Sequence, residues 1–301
     1  MSILTVGGSG MIGSAVNFGV KPSKTQLNLF DYTSLSNYIK SNNITEIIHA
    51  AAKVGGVKAN NDYMYDFFME NIIINTNVIR ACKEFNIKRC TFFLSTCIFP
   101  ENAPLPLIEK DIHNGEPHPT NFGYAYAKRM LEVGSRCLKK QHNINSSCLV
   151  PCNMYGPNDN YHLENGHVIP SLIHRCYLAK NNNTDFVVWG SGRAEREFLY
   201  SGDVARVLRM IHLDNHTIPD IMTISPGRVY SIKQVVKLII KHLNFKGNVI
   251  FDTSKPEGIM KKNTDNSVFK NTFPDFCFTT LDEGLAATVE DFIKNYNILR
   301  K

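Results

Sequence analysis

The sequence predicts an α/β fold: a mostly parallel, doubly wound sheet followed by a smaller α/β lobe at the C-terminal end. Three observations carry that expectation. Short apolar strands alternate with helical patterns through the first half of the chain, glycines crowd the turn after the first strand, and the regular alternation fades after Pro151. The first element, "ILTVGGSGMIG", is a strand, a glycine turn and a helix start. Gly7, Gly10 and Gly13 have G-x-x-G-x-x-G spacing, and Gly8, Gly10 and Gly13 also fill G-x-G-x-x-G, with Ser9, Met11 and Ile12 between them. Glycines in such a turn let backbone N–H groups approach a pyrophosphate and let a helix close on its strand, the mark of a Rossmann-type sheet. The motif alone leaves open a glycine-rich turn with no ligand; its place at the first strand-to-helix turn favours a dinucleotide.

The next stretch is short. Only about 20 residues separate Gly13 from the following helical pattern, too few for a first helix and second strand of ordinary length. Asp31 is near the distance at which an acidic residue grips an NAD ribose, but no convincing strand precedes it. Lys24 is the alternative, a candidate for a 2′-phosphate or a solvated lysine. Further strands are expected at 46–51, 90–95 and 146–151, with helices at 33–41, from about 61 to 85, and from about 124 to 142. "HAAAKVGGVKANN" follows one strand and is small and Gly-rich, as expected where backbone passes a cofactor. Turn signals at 181–185 and 224–231 and helices near 231–243 and 281–296 fill the later lobe. The expected division is 1–154 for a cofactor-binding domain, with some later segments returning to it, and 155–301 mainly for substrate.

Composition narrows the function classes. The chain of 301 residues is 43% hydrophobic and 20% charged, ordinary for a globular enzyme, and no apolar run approaches a membrane span. The N-terminus reads as a strand, so no signal peptide is expected. A formal charge of +6 suits anionic small molecules, and no Lys/Arg-rich run points to nucleic acid. Eight cysteines are scattered without Cys-x-x-Cys spacing, which favours buried thiols in the cytoplasm over disulfides or a metal site.

The stretch "FLSTCIFP", residues 93–100, raises the chemical question. Polar residues at the carboxyl end of a buried parallel strand face the ligand crevice. Ser95 stands there, and Cys97 two residues on. "GYAYAKRM" places Tyr124 and Lys128 four apart, on one face of a helix. A phenol of pKa about 10 transfers a proton more easily when an ammonium lowers it. Ser95 would bond the same carbonyl oxygen that Tyr124 protonates. Together with the glycine turn, this describes carbonyl reduction by a nicotinamide cofactor. Tyr126 is a poorer choice, because its i+4 partner is Met130.

These motifs resemble the extended short-chain dehydrogenase/reductases that act on nucleotide sugars, and among them the GDP-L-fucose synthase family. The matching runs include "GGSGMIGSA", "HAAAKVGGVKANN", "STCIFP", "NFGYAYAKRM", "PCNMYGPNDNYH", "NGHVIPSLIHR", "VVWGSGRAEREFLY" and "FDTSKPEG", and they span nearly the whole chain. The resemblance implies a homodimer that uses NADP(H), epimerises GDP-4-keto-6-deoxy-D-mannose at C3 and C5 and reduces it at C4. Ser95, Tyr124 and Lys128 are implied as the reductive triad, and Cys97 and His167 as the epimerising acid/base pair. A thiol of pKa about 8.5 and an imidazole of about 6.5 bracket neutral pH, which suits proton transfer on either face of a sugar. Leu94, Ser95, Lys128, Pro151, Cys152, Asn153, Met154 and His167 are implied beside the cofactor, and Lys24 at its 2′-phosphate. Arg175, Trp189, Arg196 and Glu257 are implied at the GDP end, Glu257 standing where relatives usually carry aspartate. Without the resemblance, Cys97 reads as a small buried hydrophobe, and a core position is the alternative for Trp189. Two other readings remain: a nucleotide-sugar epimerase or dehydratase that retains its NAD(P), and a non-catalytic relative that senses NADP(H).

Overall fold

The structure, a computed structural model, describes residues 2–255 and 258–301. Strand β1 (Ile3–Val6) is wholly buried and runs into the glycine turn. Helix α1 (Met11–Ala15) has only five residues. The chain then doubles back at Gly19, and Val20 forms a lone parallel bridge to Leu4 on the outer edge of β1. This single residue is all that stands where a second strand belongs, so the shortened first crossover expected from the sequence is present. Asp31 caps helix α2 (Tyr32–Ser41), its carboxylate accepting from Thr33 N at 2.8 Å, which is a structural use of that acid.

Strand β2 (Glu46–His49) pairs with the other edge of β1. The long helix expected from 61 to 85 is two helices, α3 (Val57–Asp62) and α4 (Met64–Glu84). They part at Tyr63, whose φ −121° and ψ 37° leave the helical region. Strand β3 (Arg89–Phe93), helix α5 (Phe122–His142) and strand β4 (Asn145–Pro151) follow. After β5 (Asn153–Tyr155), α6 (Val168–Asn182), β6 (Phe186–Trp189), β7 (Glu195–Tyr200) and α7 (Ser201–His212), strand β8 (Ile221–Ile224) returns to the main sheet beside β4. The order is β1-β2-β3-β4-β8, all parallel. Val20 on one side of β1 and β2 on the other mark the point where winding reverses, the place at which doubly wound sheets bind ligands.

The remaining elements are β9 (Val229–Ser231), α8 (Ile232–Leu243), β10 (Val249–Asp252), β11 (Lys261–Lys262), α9 (Ser267–Thr272) and α10 (Leu281–Asn295). Strands β6 and β10 form a small parallel pair, and β7 gathers β5, β9 and β11 around it. Capping boxes at Ser231 and Thr280 start α8 and α10, whose apolar faces close the second core with α6. Two further cores cover the faces of the main sheet. One buried polar clasp joins sheet to helix: His212 Nδ1 meets Glu46 Oε2 at 2.6 Å and Nε2 meets Thr91 Oγ1 at 2.9 Å. All three are sealed from solvent, so the cluster ties α7 to β2 and β3 and has no access to substrate. Among the described residues no helix is long and apolar enough to cross a membrane.

Candidate active site

The glycine turn closes through Gly10 N donating to Gly7 O at 3.0 Å. Gly7 has φ +83°, and a Cβ there would lie 2.6 Å from Ala51 N. A Cβ on Gly13 would lie 2.3 Å from Gly7 O, so strand, turn and helix start are in backbone contact and exclude side chains. At Gly10 a Cβ would meet only Gly7 O, at 3.4 Å, and Ser9 is exposed, so the outer rim is open. Met11 and Ile12 are half-buried behind it. This bare backbone rim at the winding reversal fits a dinucleotide phosphate.

Strand β3 ends at Phe93, and Leu94 N continues the ladder to Leu149 O at 2.8 Å. Ser95 then turns the chain, its Oγ accepting from Cys97 N at 3.4 Å at the head of a single 3-10 turn, Thr96–Ile98. This turn puts the hydroxyl and the thiol side by side. On α5, Lys128 is 2% exposed and donates to Phe93 O at 2.8 Å, which fastens helix to strand end. Its Nζ stands 5.8 Å from the centre of the Tyr124 ring, and Phe67 meets the same ring edge-on. Ser95, Cys97, Tyr124 and Lys128 are therefore brought together.

The charges differ from the simple expectation of a phenol lowered by its lysine. Burial, with a further contribution from nearby Cys97, pushes the Tyr124 hydroxyl up. The Lys128 ammonium is turned to the Phe93 carbonyl, and burial pushes it down to about 8. Burial raises the Cys97 thiol, while Ser95, Lys262 and Lys128 pull it back. Lys262 was not legible in the sequence as a site residue. It lies on β11 in register with Arg196 of β7, and burial lowers its ammonium against the opposing pull of Cys97.

Pro151 closes β4, and the next residues step from the main sheet to the β7 group. Cys152 N bonds Ile224 O at 3.1 Å, Asn153 Nδ2 donates to Glu197 O at 3.0 Å, and Met154 is half-buried. His167 is exposed as the N-cap of α6, and no hydrogen bond joins it to Cys97 among the described residues. Its neighbours link the lobes: Gly56 N donates to Asn165 O at 2.8 Å, beside the glycines that follow β2.

Arg175 and Trp189 are brought together. The guanidinium lies 3.9 Å from the indole centre and also donates to Leu163 O at 2.7 Å. Trp189 is 41% exposed, so it is a surface platform and not a core residue. Arg196 lies near Gly258, where a Cβ would be 3.7 Å from its guanidinium. Glu257 lies outside the described residues. Lys24 is exposed in the turn before α2.

The sequence model of the NAD dependent epimerase/dehydratase family matches residues 17–225. The chain belongs to the NAD dependent epimerase/dehydratase family. Within that family, it is 41% identical to a GDP-L-fucose synthase of Dictyostelium discoideum, over 100% of this chain and 98% of that protein. A GDP-L-fucose synthase of Escherichia coli (strain K12) is 34% identical over 99% and 98%. The solved GDP-L-fucose synthetase of Naegleria fowleri bound to NADP superposes with TM-score 0.92 at 35% identity, covering 100% of this chain and 95% of that one. The family's doubly wound sheet is the fold described above, and it is present here with its first crossover cut to one bridging residue.

Proposed function

We propose that this chain is an NADPH-dependent epimerase-reductase that converts GDP-4-keto-6-deoxy-D-mannose to GDP-L-fucose. The observation that supports the reading is the shared corner of Ser95, Cys97, Tyr124 and Lys128, which sets a hydroxyl, a thiol, a phenol and an ammonium together at the end of β3 and the start of α5. Residues Gly7, Gly8, Ser9, Gly10, Met11, Ile12 and Gly13 hold the dinucleotide phosphates. Leu94, Ser95, Lys128, Pro151, Cys152, Asn153, Met154 and His167 line its nicotinamide end. The bound cofactor supplies the hydride to C4.

Tyr124 gives its proton to the C4 oxygen, Ser95 holds that oxygen, and Lys128 supports the phenol. Before reduction, the C4 ketone acidifies C3 and C5; Cys97 takes a proton from one face and His167 returns one on the other. Arg175 and Arg196 hold the diphosphate and Trp189 lines the nucleotide subsite, with Glu257 a further contact there. Residues 1–154 with the returning β8 serve the cofactor, and 155–301 mainly serve the nucleotide. Tyr65, Phe68, Phe122 and Val133 are exposed on α4 and α5, an apolar face that fits a second copy of this chain. The free thiols of all eight cysteines suit the cytoplasm.

The test is direct. Purified protein with NADPH and GDP-4-keto-6-deoxy-D-mannose should consume one NADPH per GDP-L-fucose formed. Isomerised sugar without NADPH consumption would replace this reading with a cofactor-retaining epimerase, and no turnover with tight NADPH binding would leave a sensor.

A further inference from the structure

We propose that Lys21, and not Lys24, reads the 2′-phosphate of the dinucleotide in this chain, in a subsite rebuilt around the shortened first crossover. The inference rests on the NADP(H) reading above. In a doubly wound sheet, the residue just past the carboxyl end of the second strand meets the ribose 2′ position. Here that strand is one residue long. Val20 N donates to Ile3 O at 2.8 Å, and Thr5 N donates to Val20 O at 2.9 Å, so Val20 occupies a true strand position beside β1. Gly19 makes the short return feasible: its φ is +71°, and a Cβ there would lie 2.5 Å from Ile3 O. Lys21 is thus the first residue beyond the strand end.

Its side chain is placed accordingly. Lys21 Cβ lies 2.7 Å from where a Gly8 Cβ would stand, so the stem rests on the glycine turn. The ammonium donates to Val16 O at 2.6 Å, at the end of α1, and an ammonium retains two further donors. Pro22 follows and restricts the Lys21 backbone to extended forms. Lys24 is three residues further on, in an exposed turn held by Ser23 N donating to Gln26 Oε1 at 2.9 Å. The acid that an NAD-reading site would use is committed elsewhere, since Asp31 caps α2.

The experiment uses the full chain and two probes, 2′,5′-ADP and 5′-AMP, by calorimetry. The wild type should bind 2′,5′-ADP at least about 10-fold more tightly, the range of a charge-assisted hydrogen bond. Lys21→Gln retains the stem and a donor for Val16 O but loses the charge. It should weaken 2′,5′-ADP and NADPH about 10- to 100-fold and leave NADH within about 2-fold. Lys24→Gln should change none of these by more than about 2-fold. A loss confined to Lys24→Gln, an equal loss of NADH and NADPH in Lys21→Gln, or no discrimination by the wild type would each overturn the proposal.

A readout independent of any variant is acylation of the wild-type lysines, followed by peptide mass spectrometry. Lys21 should be protected by 2′,5′-ADP and not by 5′-AMP, with Lys24 unchanged; equal labelling of Lys21 under both overturns it. If neither NADPH nor NADH binds at all, the cofactor reading itself fails. If NADPH binds and Lys21 is unprotected, only this inference fails.

Discussion

Lys128 Nζ donates to the carbonyl of Phe93 at 2.8 Å, so α5 is pinned to the strand end that carries Ser95 and Cys97. The bond sets the position of Tyr124 one turn earlier on the same helix, and it does so with a side chain whose ammonium burial has pushed down to about 8. The reductive kcat/KM, which reports the free enzyme, should therefore fall above about pH 8 as Lys128 loses its proton. Lys128→Arg should be slower yet lose that alkaline limb, because a guanidinium does not titrate there. A pH–rate series on both proteins checks this; an unchanged limb in the arginine variant would assign it to another group.

Tyr124→Phe should retain NADPH binding and lose about 10²- to 10⁴-fold in reduction, the usual cost of a positioned acid. Its exchange of solvent deuterium into C3 and C5 of the keto sugar, measured with NADP⁺ so that reduction cannot follow, should persist. Cys97→Ser should show the reverse, with exchange slowed sharply. Lys262→Met should also slow exchange, since it removes a positive charge that favours the Cys97 thiolate. Wild-type exchange rates in Cys97→Ser would reduce the thiol to packing.

Trp189→Ala should raise KM for the GDP-sugar about 10-fold and leave NADPH affinity unchanged. The indole is both an exposed platform and the surface on which Arg175 lies, so its loss also leaves the guanidinium held only by its bond to Leu163 O among the contacts described above. Steady-state kinetics with the keto sugar, alongside NADPH titration, separate the two effects. A change in NADPH affinity alone would place Trp189 at the wrong end of the site.

Local patterns made the reading of this chain possible. The glycine turn, the alternation of strands and helices, and the Tyr124–Lys128 spacing each depend on residues within a few positions of one another. The break at Tyr63 was not legible, because α3 is one short, mostly polar stretch, VKANND, beside a glycine-rich turn, and only the backbone angles at Tyr63 part it from α4. Nor was Lys262, which sits in a Lys-Lys pair that reads as surface until β11 pairs with β7 and folds it inward. Lys21 was hidden for the same reason: without the Val20 bridge there is no strand end to count from. The Arg175–Trp189 stack joins α6 to the end of β6, an arrangement that sequence similarity implied at the level of residues and tertiary folding alone could show as a contact.

His49 supplies a pH test of the core beneath the site. Its ring is fully buried at the end of β2, with Nε2 and Asn75 Oδ1 2.9 Å apart, while Asn75 Nδ2 donates to Ala127 O at 3.1 Å. Because the amide oxygen must accept, Nε2 carries the proton and Nδ1 is left as a buried acceptor without a partner among the described residues. Protonating Nδ1 would create a buried cation near the Lys128 charge, and burial with that charge lowers the His49 pKa to about 3. In the unfolded chain the same group titrates near 6.5. The folded value is the lower one, so the unfolded state takes up the proton first on acidification. The stabilisation is complete above about pH 6.5 and is lost progressively as pH falls towards about 3, with a slope of up to about 1.4 kcal/mol per pH unit from this one group. His212, also pushed down by burial, adds to the same trend. His49→Gln retains a donor for Asn75 and cannot titrate. Its urea-unfolding free energy, followed by circular dichroism from pH 7.5 to 4.5, should fall less steeply than that of the wild type, by about one proton of slope. Parallel slopes would mean that the ring takes up its proton in the folded state, and that the His49–Asn75–Ala127 link rearranges when it does.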